Sequence, residues 1–247
     1  MFGALKVGTA SWNVPPQYQA AFPTLGSHLD RYAQRFPAVE INTSFYRPHR
    51  VATYERWQRA VPENFRFAVK VPREITHVRK LVDIADPLAR FLAEVHGLGE
   101  KLGPLLVQLA PGLVFNASVV DRFFERLRAA FGGQVACEPR HPSWFNTEAE
   151  AVLIQYQIAR VAADPAPVTT AAEPGGWPGL VYYRLHGFPE VYYSAYGPTY
   201  VGTLSRNLQA HAKLGCDVWC IFDNTARGEA ANDALDLLQI THTRLLS

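Results

Sequence analysis

Side chains that could bind an anion or move a proton alternate along residues 182–187, which read Tyr-Tyr-Arg-Leu-His-Gly. The apolar residues just before this segment indicate a buried strand. Successive side chains of a strand point to opposite faces, so Tyr182, Arg184 and His186 share one face. A guanidinium suits bidentate recognition of an oxyanion, and an imidazole suits general acid–base catalysis. Because a buried charge is costly unless it is paired or used, these side chains predict partners on other elements.

Polar residues recur in the same way at the ends of the other apolar segments. We take as candidate ligand-binding residues Trp12, Glu40, Asn42, Lys70, Gln108, Arg140, His141, Trp144, Tyr182, Arg184, Asp223 and Asn224. The candidate catalytic residues are Glu138, Asp164 and His186. The residues that alternate with them are mostly apolar and are expected to pack against helices, among them Ile41, Val69, Cys137, Val161 and Leu185.

The elements that must position these side chains follow from hydrophobic periodicity. Short apolar runs predict strands at 5–11, 39–45, 66–71, 105–109, 134–138, 160–164, 180–186 and 218–222. Amphipathic patterns predict helices at 28–36, 51–61, 87–102, 118–131, 147–157, 204–214 and 229–240. Alternation of this kind is typical of α/β proteins with a parallel sheet.

Eight strand–helix units in 247 residues fit a single TIM-like (β/α)8 barrel of parallel strands, with residues 1–247 as one domain. An open doubly wound sheet is the alternative, but no Gly-x-Gly-x-x-Gly motif follows the first strand and no P-loop is present. Active sites of such barrels lie at the carboxyl ends of the strands. The candidate residues are therefore expected to meet at one mouth, where an internal salt-bridge network without chemistry is the competing interpretation.

Composition limits the function classes. The net charge of +2 is too small to favour non-specific nucleic-acid binding over the whole surface. Three cysteines do not make a disulfide framework, so we interpret them as small buried hydrophobes. No apolar run approaches the ~18 residues of a membrane span, and no signal peptide is evident, so we expect a cytoplasmic protein without a membrane partner.

Several longer stretches resemble the domain-of-unknown-function 72 family, the YecE-like proteins. These stretches are residues 7–12, 39–47, 65–77, 102–111, 138–144, 182–187 and 222–234. The resemblance implies a TIM-like barrel, and the family supplies no established activity. Two departures are visible: Ala110 stands where a second proline is expected, and Ala10-Ser11 where Ser-Gly is more usual.

The first functional hypothesis is an enzyme or binder that acts on a small anionic or phosphorylated ligand at the barrel mouth. Lys70, Arg140 and Arg184 would hold the anion. Glu138 or Asp164 would serve as the general base and His186 as the general acid.

Three alternatives stay open at this point. A metal-dependent phosphodiesterase or isomerase would use Glu40, Glu138, Asp164, His186 and Asp223, but the sequence lacks His-x-His spacing and the nearby cations would compete, so we expect no metal and no cofactor. A non-catalytic module could bind single-stranded nucleic acid or another partner through the tyrosine-rich residues 188–201 and Trp12, Trp144 and Trp177, although the near-neutral net charge argues against it. A carbohydrate-processing enzyme would use Glu40 and Glu138 as a carboxylate pair, whose separation would decide the chemistry.

Overall fold

Strands and helices alternate along the chain in the computed structural model, which describes residues 3–245. The strands are β1 Leu5–Thr9, β2 Ala38–Ile41, β3 Arg66–Lys70, β4 Leu102–Gln108, β5 Val135–Glu138, β6 Ile158–Arg160, β7 Ala162–Asp164, β8 Gly175–Gly176, β9 Leu180–Leu185 and β10 Asp217–Phe222. The α-helices are α1 His28–Ala33, α2 Thr43–Tyr46, α3 Val51–Arg59, α4 Ala85–Val95, α5 Ala117–Ala130, α6 Thr147–Gln155, α7 Pro198–Lys213 and α8 Glu229–Leu245. Short 3₁₀ segments occupy Pro16–Ala21, His96–Lys101, Pro142–Trp144 and Thr169–Ala172, and one π-helical turn spans Glu74–Val78. No helix in this range is long and apolar enough to cross a membrane.

The strands form two hydrogen-bonded sheets. One has the order β1-β10-β9-β7 and the other the order β2-β3-β4-β5-β6-β8. All pairs are parallel except β6 with the short β8. This arrangement confirms an α/β fold of mainly parallel strands.

The predicted sixth strand, 160–164, is divided between the two sheets. β6 pairs with β5, whereas β7 pairs with β9. Between them the Val161 amide still donates to the Cys137 carbonyl at 2.9 Å. Residues 158–164 therefore run from one sheet to the other, and the single strand that the sequence predicts is two short ones.

A tyrosine hydroxyl joins the two sheets at β1 and β2. Tyr32 is fully buried on α1, and its hydroxyl accepts from the Thr9 amide at 2.8 Å and donates to the Ala38 carbonyl at 3.0 Å. The strands approach closely at Gly8, where an added Cβ would lie 2.1 Å from the Ala38 carbonyl oxygen. In a closed barrel, β1 and β2 would be joined by backbone hydrogen bonds. In the described part of the chain, the Tyr32 hydroxyl connects these two strands instead.

Two apolar cores lie on opposite faces of the strands. A small inner core joins residues of both sheets, with small or branched side chains on most strands and one large aromatic pair; its members include Ala38, Ala68, Leu106, Ala136, Ala159, Val161, Leu180, Tyr182 and Trp219. The larger outer core joins the opposite strand faces to the helices. Ile41, Val69, Cys137 and Leu185 belong to the outer core, which confirms their predicted direction. Val161 belongs to the inner core, so its predicted direction is wrong.

Candidate functional site at the carboxyl ends of the strands

Arg184, near the end of β9, lies at the centre of a buried group of ionisable side chains. Its Nη2 lies 2.9 Å from Glu40 Oε1 and 2.9 Å from Asp223 Oδ2, and its Nη1 lies 3.2 Å from Glu138 Oε2. Its Nε also donates to Glu40, at 3.2 Å. The guanidinium is 1% exposed. All three of its nitrogens face protein carboxylates, so Arg184 organises the group internally and is not free to hold a ligand.

His186, two residues further along the same face, lies between two of these carboxylates. Its Nδ1 is 3.0 Å from Asp223 Oδ2, and its Nε2 is 2.9 Å from Glu138 Oε1. Arg140 Nη2 also approaches Nε2, at 2.6 Å, and lies 2.5 Å from Glu138 Oε1. We call this set the charged cluster and define it as Glu40, Lys70, Glu138, Arg140, Arg184, His186 and Asp223.

The hydrogen-bond partners of His186 Nε2 suit this nitrogen both with and without a proton. An arginine can only donate a hydrogen bond, and a carboxylate can only accept one. Nε2 therefore accepts from Arg140 when it carries no proton and donates to Glu138 when it carries one. Nδ1 keeps Asp223 as its acceptor in both states. The imidazole can thus gain or lose a proton at Nε2 within one fixed frame, as general acid–base catalysis requires.

Opposite charges determine the ionisation of the carboxylates. Burial alone would raise the pKa of Glu138, but Arg140, Arg184 and His186 hold it well below its ordinary value. Asp223 follows the same pattern, because burial raises its pKa and the charges of Arg184, His186 and Lys70, with the hydrogen bond from His186, together more than offset this. Burial would likewise lower the pKa of Arg184, and the charges of Asp223, Glu40 and Glu138 raise it instead. These groups are therefore ionised at neutral pH.

Lys70, the last residue of β3, is the cation of the cluster that has no anionic partner. It is 6% exposed, and its Nζ lies 4.1 Å from the centre of the Phe45 ring. Among the described residues it makes no ion pair and no hydrogen bond through Nζ. Burial and the nearby Arg184 charge lower its pKa to about 8, although the surrounding carboxylates act in the opposite direction. An amine in this setting is available for a ligand.

Neutral side chains complete the cluster. The Tyr182 hydroxyl donates to Glu40 at 2.8 Å, and the Gln108 amide donates to Glu138 at 2.9 Å. The Asn42 amide reaches Asp223 at a longer 3.4 Å, and its buried Oδ1 has no hydrogen-bond partner within the described residues. Arg140 Nε is likewise buried without a partner there, although its side chain is 20% exposed. The polar atoms of the site that have no hydrogen-bond partner among the described residues thus belong to Asn42, Lys70 and Arg140.

A loop over residues 187–197 covers one side of the cluster. The Tyr192 amide donates to the His186 carbonyl at 2.5 Å, and the Tyr192 ring meets the imidazole edge to face, with centroids 5.8 Å apart. The loop is held at its far end by buried Asp233, which accepts from the Tyr196 amide at 3.1 Å and from Asn224 Nδ2 at 2.7 Å. We call residues 187–197 the covering loop.

Asp164 does not join the cluster, which corrects its expected position. It shares strand parity with Ala162, which packs in the outer core. The Asp164 carboxylate accordingly lies beside Tyr200 and the side chains of α7, in a separate cavity of about 190 Å³. Because the predicted strand was assigned the opposite parity, its polar end was expected on the wrong face.

Four other candidates also lie outside the cluster and make structural contacts. Trp12 packs edge to face on Trp57 at 4.9 Å. His141 accepts from the Ser143 amide at a 3₁₀ turn, and Trp144 donates to the Leu113 carbonyl at 2.8 Å. Asn224 donates to the Ser194 carbonyl at 2.9 Å and so anchors the covering loop. The residues that the structure brings together are Glu40, Asn42, Lys70, Gln108, Glu138, Arg140, Tyr182, Arg184, His186 and Asp223.

Three further residues shape the site; of these, the sequence suggested only Tyr192, as part of the tyrosine-rich residues 188–201. Phe45 packs under the Lys70 amine, Tyr192 covers His186, and Asp233 holds the covering loop. A signal for Phe45 was present, since this aromatic directly follows the polar residues 42–44 that come after β2. Asp233 gives no such signal, because it lies on α8, far along the chain from the loop that it binds.

The positions of the acidic side chains can be compared with what a metal site and a carbohydrate-processing site would need. Among the described residues, no group of three His, Cys, Asp or Glu side chains is arranged to hold a metal ion. Glu40 and Glu138, the expected carboxylate pair, both bind the same guanidinium. Neither carboxylate is positioned on its own to face a sugar.

Fold and site together define an α/β protein of mainly parallel strands with a buried charged cluster at the strand ends. The chain belongs to the family described as "Protein of unknown function DUF72", which it matches over residues 6–246. This confirms the resemblance noted in the sequence.

Three known proteins are similar to this chain. It is 27% identical over 173 residues to the UPF0759 protein YecE of Escherichia coli strain K12, which covers 68% of this chain and 61% of that protein. The chain therefore spans about three fifths of the length of that relative. A DUF72 family protein from Enterococcus faecalis V583 has a TM-score of 0.79 at 24% identity, covering 97% of this chain and 98% of that one. More distantly, E. coli YcjR, a 3-keto-D-glucoside 4-epimerase, has a TM-score of 0.56 at 15% identity, covering 97% and 99%. The similarities to these two solved structures show a shared fold and nothing further.

Proposed function

We propose that this protein is an enzyme or binder for a small anionic ligand, held by Lys70 and Arg140 at the charged cluster. The observation that carries the proposal is the Lys70 amine, a nearly buried cation with no anionic partner among the described residues. A buried charge without a partner is costly for a fold to retain. An anionic ligand would give this amine the direct ion pair that it does not make with the carboxylates of the cluster.

Arg140, Arg184 and His186 have separate roles in this proposal. Arg140 keeps part of its side chain exposed and has an unsatisfied Nε, so it can add a second cation to the ligand site. Arg184 holds Glu40, Glu138 and Asp223 in place, which fixes the frame around His186. His186 would then transfer a proton through Nε2. This role replaces the anion-holding role that the sequence suggested for Arg184.

We further propose that the two sheets form one barrel-like domain of eight strand positions, with β6 and β7 sharing one position. The shared inner core and the Tyr32 bridge support this arrangement. The likeness to YcjR, by its description an epimerase of a keto sugar, is compatible with proton transfer on a small ligand but does not assign one.

Thermal denaturation with a panel of small anions tests the proposed function. Sulfate, phosphate and glyoxylate should raise the melting temperature of the wild type in a saturable manner, at constant ionic strength maintained with chloride. Lys70→Met should fold normally, because the substitution removes an unpartnered charge and keeps an apolar stem over Phe45. It should lose the anion effect, whereas Lys213→Met on exposed α7 should retain it.

Equal stabilisation of the wild type and Lys70→Met would contradict the proposal. Stabilisation only by single-stranded oligonucleotides, lost on changing the exposed tyrosines of the covering loop, would favour the nucleic-acid alternative instead.

A further inference from the structure

We infer that Lys70 forms an imine with the ligand, so that the substrate class is a small carbonyl compound that also carries an anionic group. This inference rests on the proposed function and names the chemistry of the same site. It is drawn from the burial of the Lys70 amine, from its position over the Phe45 ring and from the absence of an ion pair or hydrogen bond at its Nζ among the described residues.

The setting of Lys70 is that of a nucleophilic amine. A lysine becomes nucleophilic at neutral pH when it is desolvated or placed next to another cation. Both conditions hold here, since Lys70 is 6% exposed and the Arg184 charge acts on it. His77 packs edge to face on the same Phe45 ring, with centroids 5.0 Å apart.

Lys101 provides an internal comparison. It is also buried, at 4% exposure, but its Nζ donates to the Gln58 and Val61 carbonyls at 2.9 and 2.8 Å. Its hydrogens are committed to the backbone, as expected of a structural lysine. Lys70 has none of these bonds, so its lone pair becomes available as soon as one proton leaves.

The reaction balances without any further reagent. The neutral amine attacks the carbonyl carbon, a C–N bond forms, and the carbonyl oxygen takes up a proton. The carbinolamine then expels water as nitrogen forms its second bond to carbon. Overall, an ammonium and a carbonyl give an iminium and one water. His186 Nε2, which can hold or release a proton, is the group of the cluster suited to transfer the protons involved.

Arg140 accounts for the anionic part of the ligand. Arg140 is the partly exposed cation of the cluster, and it can hold a carboxylate or phosphate while the carbonyl meets Lys70. A 2-oxo acid or a phosphorylated aldehyde or ketone has both groups. A neutral sugar lacks the anion, and a simple phosphate monoester lacks the carbonyl.

Reductive trapping with glyoxylate tests the inference. Glyoxylate has an aldehyde and a carboxylate, and cyanoborohydride delivers hydride to the iminium carbon, which leaves a stable carboxymethyl group on nitrogen. The chain has five lysines, Lys6, Lys70, Lys80, Lys101 and Lys213, so peptide mapping can assign every adduct. Lys70 should be modified at least tenfold faster than Lys80 or Lys213, at a rate that saturates with glyoxylate and falls when sulfate is added.

Two variants separate the failure of this inference from that of the proposed function. Lys70→Arg keeps the charge but cannot form an imine, and Lys70→Met removes both properties. The inference predicts that Lys70→Arg keeps anion stabilisation and loses the rapid adduct. Anion stabilisation of the wild type with no preference for Lys70 in trapping would overturn the imine while leaving the proposed function intact. Absence of both would overturn the two together.

Discussion

Arg184 shows how one side chain can determine the geometry of a site that it does not itself offer to a ligand. Three carboxylates share its guanidinium, and it is 1% exposed. Removing one partner of a buried ion pair leaves uncompensated charge in the interior, at a cost of about 3–5 kcal/mol. We therefore expect Arg184→Met to lower the free energy of unfolding by at least that range, as measured by urea denaturation at pH 7.

Lys70→Met is the matched control for this prediction. It removes another cation of the same cluster, one that has no ion-pair partner among the described residues, so its unfolding free energy should stay within about 1 kcal/mol of the wild type. If Arg184→Met melted like the wild type, the internal role of Arg184 would be wrong.

At the level of single residues, strand parity predicted most of the cluster but not its pairing. Tyr182, Arg184 and His186 share a face because strand side chains alternate, and the same rule places Glu40, Lys70 and Glu138. Strand parity does not determine which carboxylate pairs with a guanidinium, since that depends on the distances between side chains of different strands. Lys70 was therefore expected to act alongside Arg184, whereas the structure gives the two cations different surroundings.

The contact between β1 and β2 depends on one hydroxyl. Tyr32 of α1 satisfies the Thr9 amide and the Ala38 carbonyl, both in a buried region. Tyr32→Phe would leave a donor and an acceptor without partners, and each buried unsatisfied group costs about 1–3 kcal/mol. We expect the unfolding free energy of Tyr32→Phe to fall by that order in urea denaturation. Tyr46→Phe, at a residue 78% exposed, should change it little, and equal values for both variants would exclude the bridging role.

The covering loop should become less firmly held as the pH rises. Burial raises the pKa of Asp233 to about 6, although its hydrogen bonds from Asn224 and the Tyr196 amide act the other way. A group whose folded pKa is raised contributes stability below its ordinary value of 3.8 and loses that contribution as the pH rises through about 6. Hydrogen exchange of residues 187–197, corrected for intrinsic rates, should therefore show less protection at pH 8 than at pH 5.

Asp233→Asn is the control for the loop. An amide oxygen can accept from the same two donors without titrating, so protection in this variant should be independent of pH over that range. A wild-type loop with equal protection at both pH values would count against Asp233 as its titrating anchor.

Among the elements, the strongest periodic patterns gave the best predictions. The helix predicted at 118–131 is α5, Ala117–Ala130, because its phenylalanines and leucine recur at helical spacing and pack in the outer core. Its start was less predictable: the helix begins at Ala117, and Asn116 is the N-cap, whose side chain accepts from the Val119 amide. The segment 158–164 was harder still, since its apolar residues occupy both faces, and its charged residues Arg160 and Asp164 share one parity, as the polar residues of the other strands do. That ambiguity is the physical reason why Asp164 was assigned to the site.

At the scale of the whole molecule, the alternation of strands and helices predicted the α/β class, and the match over residues 6–246 confirms the family. The division into two hydrogen-bonded sheets was not predictable, because it depends on a tyrosine side chain between strands and on a shift of partner within residues 158–164. Both sheets nevertheless direct charged side chains into one cluster. The central claim about the molecule is that this cluster leaves an anion site at Lys70 and Arg140.

Anomalous diffraction from crystals soaked in selenate tests that claim most directly. Selenate is a tetrahedral dianion whose selenium can be located independently of the protein atoms. We expect an anomalous peak with selenate oxygens within hydrogen-bonding distance of Lys70 Nζ and of the Arg140 guanidinium, and we expect the peak to be absent from Lys70→Met crystals. Selenate bound only to exposed lysines and arginines, with none at the end of β3, would contradict it.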